Sequence, residues 1–294
     1  MQKNILIFGK NGQLAQSLKQ TAGHHHCLFL GRNECNLLDK DDIKKHILSF
    51  QPDMIINGAA YTAVDLAETE QEDAFFLNRD APHNIAQIAA EFQIPLIHIS
   101  TDFVFDGEKK TPYLPMEKVN PINIYGQSKY EGEKTILKTH NNAIIIRTSW
   151  VFSPFGNNFV KTMLCLGIQK DVLNIVSDQI GCPTSALDLA KDIVHITEKK
   201  YDFTMLENKI FHYSGADALS WYEFAKTIFS YAGNAGLKTP SSICPILAKD
   251  YKTAAKRPAY SVMDTTSFTE TFDLPMKSWK IALKEMITNH KEAE

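Results

Sequence analysis

The sequence is poor in cysteine and contains no long apolar run. Its five cysteines are scattered over 294 residues, and none forms a Cys-x-x-Cys pair. This pattern excludes a disulfide-dense secreted scaffold and indicates reduced thiols in a cytoplasm. No segment approaches the roughly 18 apolar residues of a membrane helix, and the apolar run before Gly9 is too short for a signal peptide. We therefore expect a cytoplasmic protein with no membrane partner.

The chain also lacks an excess of charge of either sign, internal repeats and low-complexity tracts. Its formal net charge of −3 gives it no global attraction for DNA, RNA or an anionic membrane. We expect no nucleic-acid partner, so any anionic ligand must be held by a local site. A hydrophobic content of 44% and a charged content of 22% are typical of a globular protein. The length allows about two domains.

The first half does contain a regular alternation of short apolar segments with longer helical ones. Such an alternation predicts βαβ units, and hence an α/β fold with a doubly wound, Rossmann-like parallel sheet. The run Ile144-Ile145-Ile146 has no polar alternation, as expected for a strand covered on both faces. The predicted strands span residues 4–8, 27–30, 54–56, 96–99 and 143–146, and the predicted helices span 14–21, 41–50, 81–92 and 124–139.

The second half loses this rhythm after about residue 214, where several prolines interrupt the chain. We expect residues 1–150 to form a dinucleotide-binding Rossmann domain, to which the chain returns around 170–214. A smaller C-terminal substrate domain would comprise 215–294 and part of 151–170. Further strands are predicted at 172–176 and 210–213, and further helices at 186–198 and 221–231.

A glycine-rich turn follows the first predicted strand and opens the first helix. Gly9 and Gly12 would let the backbone turn tightly and approach a pyrophosphate, and the helix predicted from Leu14 would direct its first N–H groups at it. A glycine pattern alone is a weak signal, but this one has the required strand–turn–helix context. We therefore predict a dinucleotide site at this turn.

The residues at the end of the second strand indicate whether the chain prefers NADPH or NADH. NAD-specific folds place a carboxylate there to hold the ribose 2′-hydroxyl, whereas this chain has Arg32 and only later Glu34. The missing carboxylate favours NADPH, with NADH as the alternative cofactor; the other interpretation is that Arg32 is a solvated loop residue. After the third strand, Ala59, Ala60 and Tyr61 would let a dinucleotide lie flat across the sheet, although small residues also serve helix packing.

A site for carbonyl reduction is predicted from four residues, Ser100, Thr101, Tyr125 and Lys129. The Ser-Thr pair ends the fourth strand, where Thr101 could donate to an oxygen that gains negative charge, although such a run is also common in turns and helix caps. Tyr125 could supply the proton, and Lys129, one helical turn on, would lower its pKa and hydrogen-bond the nicotinamide ribose. The other Tyr-x-x-x-Lys pairs, Tyr130/Lys134 and Tyr222/Lys226, do not follow a strand-end Ser-Thr.

These motifs resemble the extended short-chain dehydrogenase/reductase family and, within it, the enzymes that reduce dTDP-4-dehydro-L-rhamnose. By this resemblance Thr101, Tyr125 and Lys129 match the catalytic residues. Asn36 and Leu37 fall where the family contacts adenine, although a carboxylate is usual at position 36. The resemblance runs nearly end to end, through residues 9–15, 52–57, 59–65, 100–107, 125–129, 147–152, 157–159, 178–179, 183–184, 220–225 and 257–258.

The resemblance also implies a substrate site and a cofactor site made of particular residues. The Trp150 indole would stack on the sugar ring, and Arg257 would hold the substrate diphosphate. The expected substrate contacts are Thr101, Asp102, Phe103, Trp150, Asn158 and Arg257. The expected cofactor contacts are Gly9, Gly12, Gln13, Leu14, Arg32, Asn36, Leu37, Ala59, Ala60, Tyr61, Ser100, Tyr125 and Lys129.

The implied activity is NADPH-dependent reduction of the 4-keto group of dTDP-4-dehydro-L-rhamnose to dTDP-L-rhamnose, by a monomer or a homodimer. Another nucleotide-sugar 4-ketoreductase would fit the same residues. A 4-epimerase or 4,6-dehydratase would recycle a tightly held NAD, and a dehydratase would carry glutamate after Asp102, where this chain has Phe103. A regulatory subunit similar to that of methionine adenosyltransferase would bind NADP without turnover.

No metal is expected. The side chains of His24-His25-His26 point in different directions on a regular backbone, and no downstream ligand cluster joins them in the sequence. Some members of the resembling family dimerise through magnesium held by acidic side chains on the first helix. This chain has Gln16 and Ser17 there instead.

Overall fold

The structure is a computed structural model that describes residues 2–199 and 201–292. Strands and helices alternate through the first half, as the sequence predicts. The strands are β1 (Asn4–Phe8), β2 (His26–Leu30), β3 (Met54–Asn57), β4 (Leu96–Thr101), β5 (Ala143–Thr148), β6 (Val151–Phe152), β7 (Val172–Val176), β8 (Ile180–Gly181), β9 (Thr184–Ser185), β10 (Ile210–Tyr213), β11 (Leu219–Ser220) and β12 (Ser242–Ile246). The helices are α1 (Gln13–Thr21), α2 (Lys40–Phe50), α3 (Gln71–Phe75), α4 (Ala81–Glu91), α5 (Ile124–Thr139), α6 (Phe159–Gln169), α7 (Ala186–Lys199), α8 (Trp221–Asn234), α9 (Thr266–Phe272) and α10 (Trp279–Glu292).

The central sheet has six parallel strands in the order β2-β1-β3-β4-β5-β10. Ile5 of β1 lies beside Cys27 of β2 on one side and beside Met54 of β3 on the other. The chain therefore turns to one side of β1 to form β2, and to the other side to form the remaining strands. Doubly wound sheets bind ligands at such a reversal, in the crevice outside the carboxyl ends of the strands.

Helices cover both faces of this sheet, which confirms the predicted α/β, doubly wound class. On one face α1, α7 and α9 pack through residues such as Leu18 and Ile193. On the other face α2, α4 and α5 pack through Ile43, Ile85 and Ile136. All residues of β5 are buried, as expected for a strand covered on both sides.

A second hydrophobic core joins α6, α8 and α10 to a two-stranded sheet of β7 and β12. Two segments lie differently from the predicted division of the chain. β7 falls in the 170–214 stretch that we expect to return to the first domain, but it pairs with β12 because Leu173 and Ile175 face the second core. α9 falls in the expected substrate domain, but its Phe268 and Phe272 pack on the central sheet.

The segment before α4 is helical although the sequence contains no clear signal for it. Here α3 leads into a π-helical turn, Phe76–Asp80, that continues as α4. The turn packs closely on α5: a Cβ at Gly132 would lie 2.0 Å from the carbonyl oxygen of Asn78. Glycine at this position therefore allows α5, which carries Tyr125 and Lys129, to approach the rest of the domain. In the part of the chain that the structure describes, no helix is long and apolar enough to cross a membrane.

Candidate active site

A cleft of about 1260 Å³ opens at the carboxyl ends of β1, β2 and β3, where the strand order reverses. Its position is the one that the sheet topology predicts for a dinucleotide. The cleft brings together many of the residues predicted from the sequence to bind a cofactor. Its lining includes Gly9, Gly12, Arg32, Asn36, Leu37, Ala59, Ala60 and Tyr61.

Gly9 is required by the geometry of the turn after β1. Its φ is +94°, and a Cβ there would lie 2.7 Å from the backbone nitrogen of Ala59. The turn closes through a 2.8 Å hydrogen bond from Gly12 N–H to the Gly9 carbonyl. Gly12 then caps α1, and none of the described side chains satisfies the first N–H groups of this helix. A helix start of this kind suits the pyrophosphate of a dinucleotide, so the residues present fit such a cofactor.

The side chain of Gln13 has a different role from the predicted one. Its Oε1 accepts hydrogen bonds from Ser153 (2.8 Å) and from Asn158 (3.0 Å), and its Nε2 donates to the Val151 carbonyl (3.3 Å). The amide therefore ties the phosphate turn to the segment after β5, which leaves only the backbone of Gln13 and Leu14 for a pyrophosphate. Asn158 also caps α6 through Lys161 N–H. Its amide is thus used within the protein rather than left for the substrate.

The Glu34 carboxylate lies at the end of β2, where we expected no acidic side chain. The chain turns at Arg32, and Glu34 folds back so that Gly31 N–H donates to its Oε2 at 3.0 Å. Its Oε1 forms an ion pair with Lys10 of the phosphate turn. The hydrogen bond from Lys10 lowers the pKa of Glu34 below its ordinary value. Both Arg32 and the Glu34 carboxylate therefore line the cleft at the end of β2, and the role of Arg32 toward a 2′-phosphate stays a prediction.

The catalytic residues predicted from the sequence meet at the end of β4. Tyr125 and Lys129 lie on α5, and the Tyr125 hydroxyl interacts with Thr101. Burial raises the pKa of Tyr125 to about 12, which outweighs the lowering by Thr101. This direction is opposite to the one we expected from the nearby lysine. Burial also lowers the pKa of Lys129 to about 8, because a charged ammonium loses its hydration in the interior.

Thr101 and Asp102 form a pair at this point. The Thr101 hydroxyl donates to Asp102 Oδ1 at 3.1 Å and accepts from Phe103 N–H at 3.2 Å. Burial raises the pKa of Asp102 to about 6. The Phe103 ring meets Tyr125 edge-on at 5.5 Å. A Cβ at Gly126 would lie 2.1 Å from the Phe103 carbonyl oxygen, so glycine after the tyrosine allows this contact.

Ser100 lies beneath the site rather than in the cleft. Its hydroxyl donates to Glu133, whose carboxylate binds Arg147 through two hydrogen bonds of 2.9 and 2.6 Å. All three residues are buried. Ser100 therefore supports the floor of the site, and its predicted contact with a cofactor is not made by the hydroxyl in this arrangement.

The Trp150 indole does not offer both faces to a sugar. It stacks on Trp221, with ring centroids 3.4 Å apart and planes inclined by 7°. Gly181 also packs on the indole, since a Cβ there would lie 2.5 Å from Cε2. Stacking of a pyranose on the face that Trp221 covers is therefore excluded. Trp221 itself was not among the residues predicted for the site, because its contact with Trp150 depends on how α8 packs.

Arg257 is bound to a partner within the chain. Its guanidinium reaches the two Asp65 carboxylate oxygens at 3.1 and 2.6 Å, and it lowers the pKa of Asp65. Nearby, Asn123 caps α5 through Gly126 N–H and donates to the Lys256 carbonyl at 2.7 Å. The 255–257 segment is thus fastened both to the loop after β3 and to the start of the helix that carries Tyr125.

The histidine run lies away from this cleft, and the fold adds a residue to it that the sequence did not suggest. His24, His25 and Glu198 place potential ligand atoms within 4.8 Å of one another. However, His25 accepts from Lys3 N–H through Nδ1 at 3.2 Å, so its Nε2, 3.3 Å from Glu198, carries the proton in the neutral ring. Both ring nitrogens of His25 are therefore used in hydrogen bonds.

The sheet topology, the glycine cradle and the Thr-Tyr-Lys arrangement define the class as a dinucleotide-binding oxidoreductase of the extended short-chain dehydrogenase/reductase type. A family model, the RmlD substrate binding domain, matches residues 3–292. The chain is 40% identical over 286 residues to dTDP-4-dehydrorhamnose reductase of Aggregatibacter actinomycetemcomitans, which covers 96% of this chain and 97% of that protein. It is similar, with a TM-score of 0.90 and 33% identity, to the crystal structure of dTDP-4-dehydrorhamnose reductase from Bacillus anthracis in complex with NADP, over 98% of this chain and 100% of that one. The chain therefore belongs to the dTDP-4-dehydrorhamnose reductase family.

Proposed function

We propose that this protein reduces the 4-keto group of dTDP-4-dehydro-L-rhamnose to dTDP-L-rhamnose with NADPH. The main support is that Tyr125 and Lys129 of α5 lie against the end of β4, which carries Thr101 and neighbours the β1–β3 edge where the cleft opens, in a chain of this family. When bound, NADPH would supply a hydride to C4 of the sugar. We expect the reaction in the cytoplasm and a monomer or homodimer as the working unit.

Tyr125 is the proposed proton donor. Its pKa of about 12 keeps the hydroxyl protonated at neutral pH, which is the form that a reduction needs. After the proton has gone to the substrate oxygen, the phenolate is left in a buried place. The ammonium of Lys129, one helical turn away, is the group that would stabilise this negative charge.

Thr101 is the proposed donor to the developing oxyanion, and it is not free in this structure. Its proton points to Asp102 Oδ1, so the hydroxyl must turn before it can donate to the substrate. Asp102 therefore sets the orientation of the Thr101 hydroxyl before the substrate binds.

The substrate is proposed to lie between the catalytic residues and the second core. Arg257 would bind the diphosphate, in exchange for its contact with Asp65. In this arrangement, the sheet with α1–α5, α7 and α9 forms the cofactor domain, and α6, α8 and α10 with β7 and β12 form the substrate domain. A 4,6-dehydratase is disfavoured because Phe103 stands where that reaction needs an acidic side chain.

The proposed function predicts rapid oxidation of NADPH when dTDP-4-dehydro-L-rhamnose is generated in situ. The loss of absorbance of the reduced nicotinamide measures the rate, and NMR of the product identifies the sugar. Formation of dTDP-L-rhamnose supports both the reaction and the substrate. A different reduced sugar indicates another 4-ketoreductase, and tight NADPH binding without any oxidation contradicts the proposal in favour of a regulatory protein.

The position of Glu34 predicts that its carboxylate weakens the preference for NADPH over NADH. A carboxylate at the end of β2 repels a 2′-phosphate and accepts hydrogen bonds from the ribose hydroxyls of NADH. In Glu34→Gln, Lys10 and Arg32 face the phosphate without a competing negative charge. We expect the ratio of kcat/KM for NADPH to that for NADH to rise by about tenfold.

The matched control is Glu91→Gln. Glu91 forms an ion pair with Lys44, as Glu34 does with Lys10, but neither residue of this pair lines the cleft. The control should leave the cofactor ratio unchanged. An unchanged ratio in Glu34→Gln as well would mean that Glu34 does not face the adenosine ribose.

A further inference from the structure

A chain of buried hydrogen bonds runs beneath the cleft and ends on Lys129. Asn57, His98 and Lys129 are 1%, 0% and 1% exposed, so their polar groups must be satisfied by one another. Asn57 is 3.0 Å from His98 Nδ1, and His98 Nε2 is 3.2 Å from Lys129 Nζ. Lys129 Nζ also donates to the Ile99 carbonyl at 2.7 Å.

The donor-to-acceptor direction of this row of hydrogen bonds is set by its first donor, the backbone N–H of Ala59. Ala59 N–H can only donate, and it donates to Asn57 Oδ1 at 3.1 Å. The other end of the Asn57 amide is therefore Nδ2, a donor, and it faces His98. His98 Nδ1 must accept this hydrogen bond, so in the neutral ring the proton lies on Nε2.

His98 consequently presents its Nε2–H group to Lys129. A charged ammonium has only donors, so Nε2–H of His98 and the Lys129 ammonium oppose each other across 3.2 Å. A neutral amine has a lone pair and would accept the same hydrogen bond. The contact therefore favours the neutral form of Lys129 over the charged one.

The other groups around Lys129 also change its pKa. Burial is the main influence that lowers the pKa of Lys129, and the negative charge of Glu133, one turn further along α5, opposes it. The Glu133 carboxylate is itself bound to Arg147, and Tyr125 lies one turn before Lys129 with Asp102 nearby. Burial and the charge of Lys129 keep His98 neutral, since both lower the pKa of its imidazole.

We propose that His98 is a positioning residue for Lys129: by directing a fixed N–H donor at the amine, it sets the pH below which Lys129 carries its proton. This proposal rests on the proposed function, since the charge matters only if Tyr125 becomes a phenolate during turnover. The rate should fall as pH rises through the point where Lys129 becomes neutral, because the phenolate then loses its counter-charge. His98 brings that point closer to neutral pH.

A first experiment determines which ring nitrogen of His98 carries the proton, without any activity measurement. The protein has ten histidines, and the two ring nitrogens of each are resolved by NMR after labelling with ¹⁵N-histidine. The His98 signals are identified by their absence from His98→Gln. At neutral pH we expect a protonated Nε2 and an unprotonated Nδ1. The opposite tautomer, or a doubly protonated ring, would overturn the proposal.

A second experiment removes or reverses the N–H group that meets Lys129. In His98→Phe, the ring keeps its place but no N–H faces the amine, so the group that opposes the charged form is gone. In Asn57→Asp, the carboxylate accepts from both Ala59 N–H and His98 Nδ1–H, which leaves the Nε2 lone pair towards Lys129. In both variants the alkaline limb of the kcat profile should move up by about one pH unit, the size expected for one hydrogen bond to a charged group.

The two variants differ in charge, which separates the proposal from a simple electrostatic effect. A shift in Asn57→Asp alone would mean that the added carboxylate acts by charge, and the proposal would be wrong. An equal loss of kcat at every pH in both variants would indicate a purely structural role and would also overturn it. His140→Gln, at a buried histidine that contacts the Ile94 carbonyl outside the site, should keep the wild-type profile.

Failure of the proposed function gives a different result from failure of this inference. If the wild-type protein oxidises NADPH with the sugar nucleotide at no pH, the proposed function is wrong. The ¹⁵N measurement still reports the His98 tautomer in that case. If turnover occurs and the tautomer is reversed, only the inference about His98 fails.

Discussion

Replacement of Tyr125 by phenylalanine should lower kcat by about 10²- to 10⁴-fold, the range for loss of a positioned general acid. The variant keeps the ring and its edge-on contact with Phe103, and it removes only the hydroxyl that interacts with Thr101. NADPH binding should persist, because the phosphate turn at Gly9 and Gly12 is untouched. Steady-state assays measure kcat, and fluorescence titration with NADPH measures binding.

Tyr130→Phe is the matched control for this prediction. Tyr130 lies on the same helix, and Lys134 lies over its ring at 4.9 Å, so the pair repeats the Tyr-x-x-x-Lys spacing. Its ring packs against the cluster of Val104 and Phe105. This control should retain wild-type turnover. Full turnover in Tyr125→Phe would remove Tyr125 from the mechanism, and loss of both NADPH binding and fold would show that the hydroxyl is structural.

Much of the fold could be predicted because its signals are local. Each strand of the first half is a short apolar run, and each helix begins after a turn, so the alternation alone indicates a parallel sheet. The phosphate turn could be predicted for the same reason, since Gly9, Gly12 and the start of α1 are adjacent in sequence. The place of Thr101 at the end of β4 follows from the rule that ligands bind at the carboxyl ends of parallel strands, whereas the catalytic roles of Thr101, Tyr125 and Lys129 stay predictions.

The parts that could not be predicted depend on contacts between distant segments. Glu34 reaches the end of β2 through a turn whose shape is closed by Lys10. The Trp150 indole meets Trp221 only because α8 packs against the second core. Sequence spacing contains no information about such contacts, and hydrogen bonding uses up side chains such as Asn158 that spacing alone leaves available.

The positions of Gly126 and Gly132 show how closely fold and site are connected. Both glycines lie on α5, and each faces a carbonyl oxygen that a Cβ would approach to 2.1 or 2.0 Å. Neither glycine marks a turn, so neither stands out in the sequence. Both allow the helix to lie close enough to Phe103 and Asn78 for Tyr125 to reach Thr101. The reactive geometry therefore depends on residues that have no chemistry of their own.

The buried pair beneath the site leads to the second large expected effect. Arg147 and Glu133 have side chains that are 2% and 1% exposed, and two hydrogen bonds join them. In Arg147→Met, the carboxylate of Glu133 stays buried without its counter-charge. We expect the free energy of unfolding to fall by about 3–5 kcal/mol, as measured for broken buried pairs. Urea denaturation followed by circular dichroism measures this loss.

Arg257→Met is the control that shows whether the loss of stability depends on the burial of an ion pair or only on the loss of an ion pair. Arg257 and Asp65 form a similar two-bond pair, but their side chains are 25% and 44% exposed. Water can solvate Asp65 when its partner is removed, so stability should fall by no more than about 1 kcal/mol. Equal losses in the two variants would contradict the argument from burial. The double variant Arg147→Met, Glu133→Met should recover part of the loss, because no unpaired charge then remains in the core.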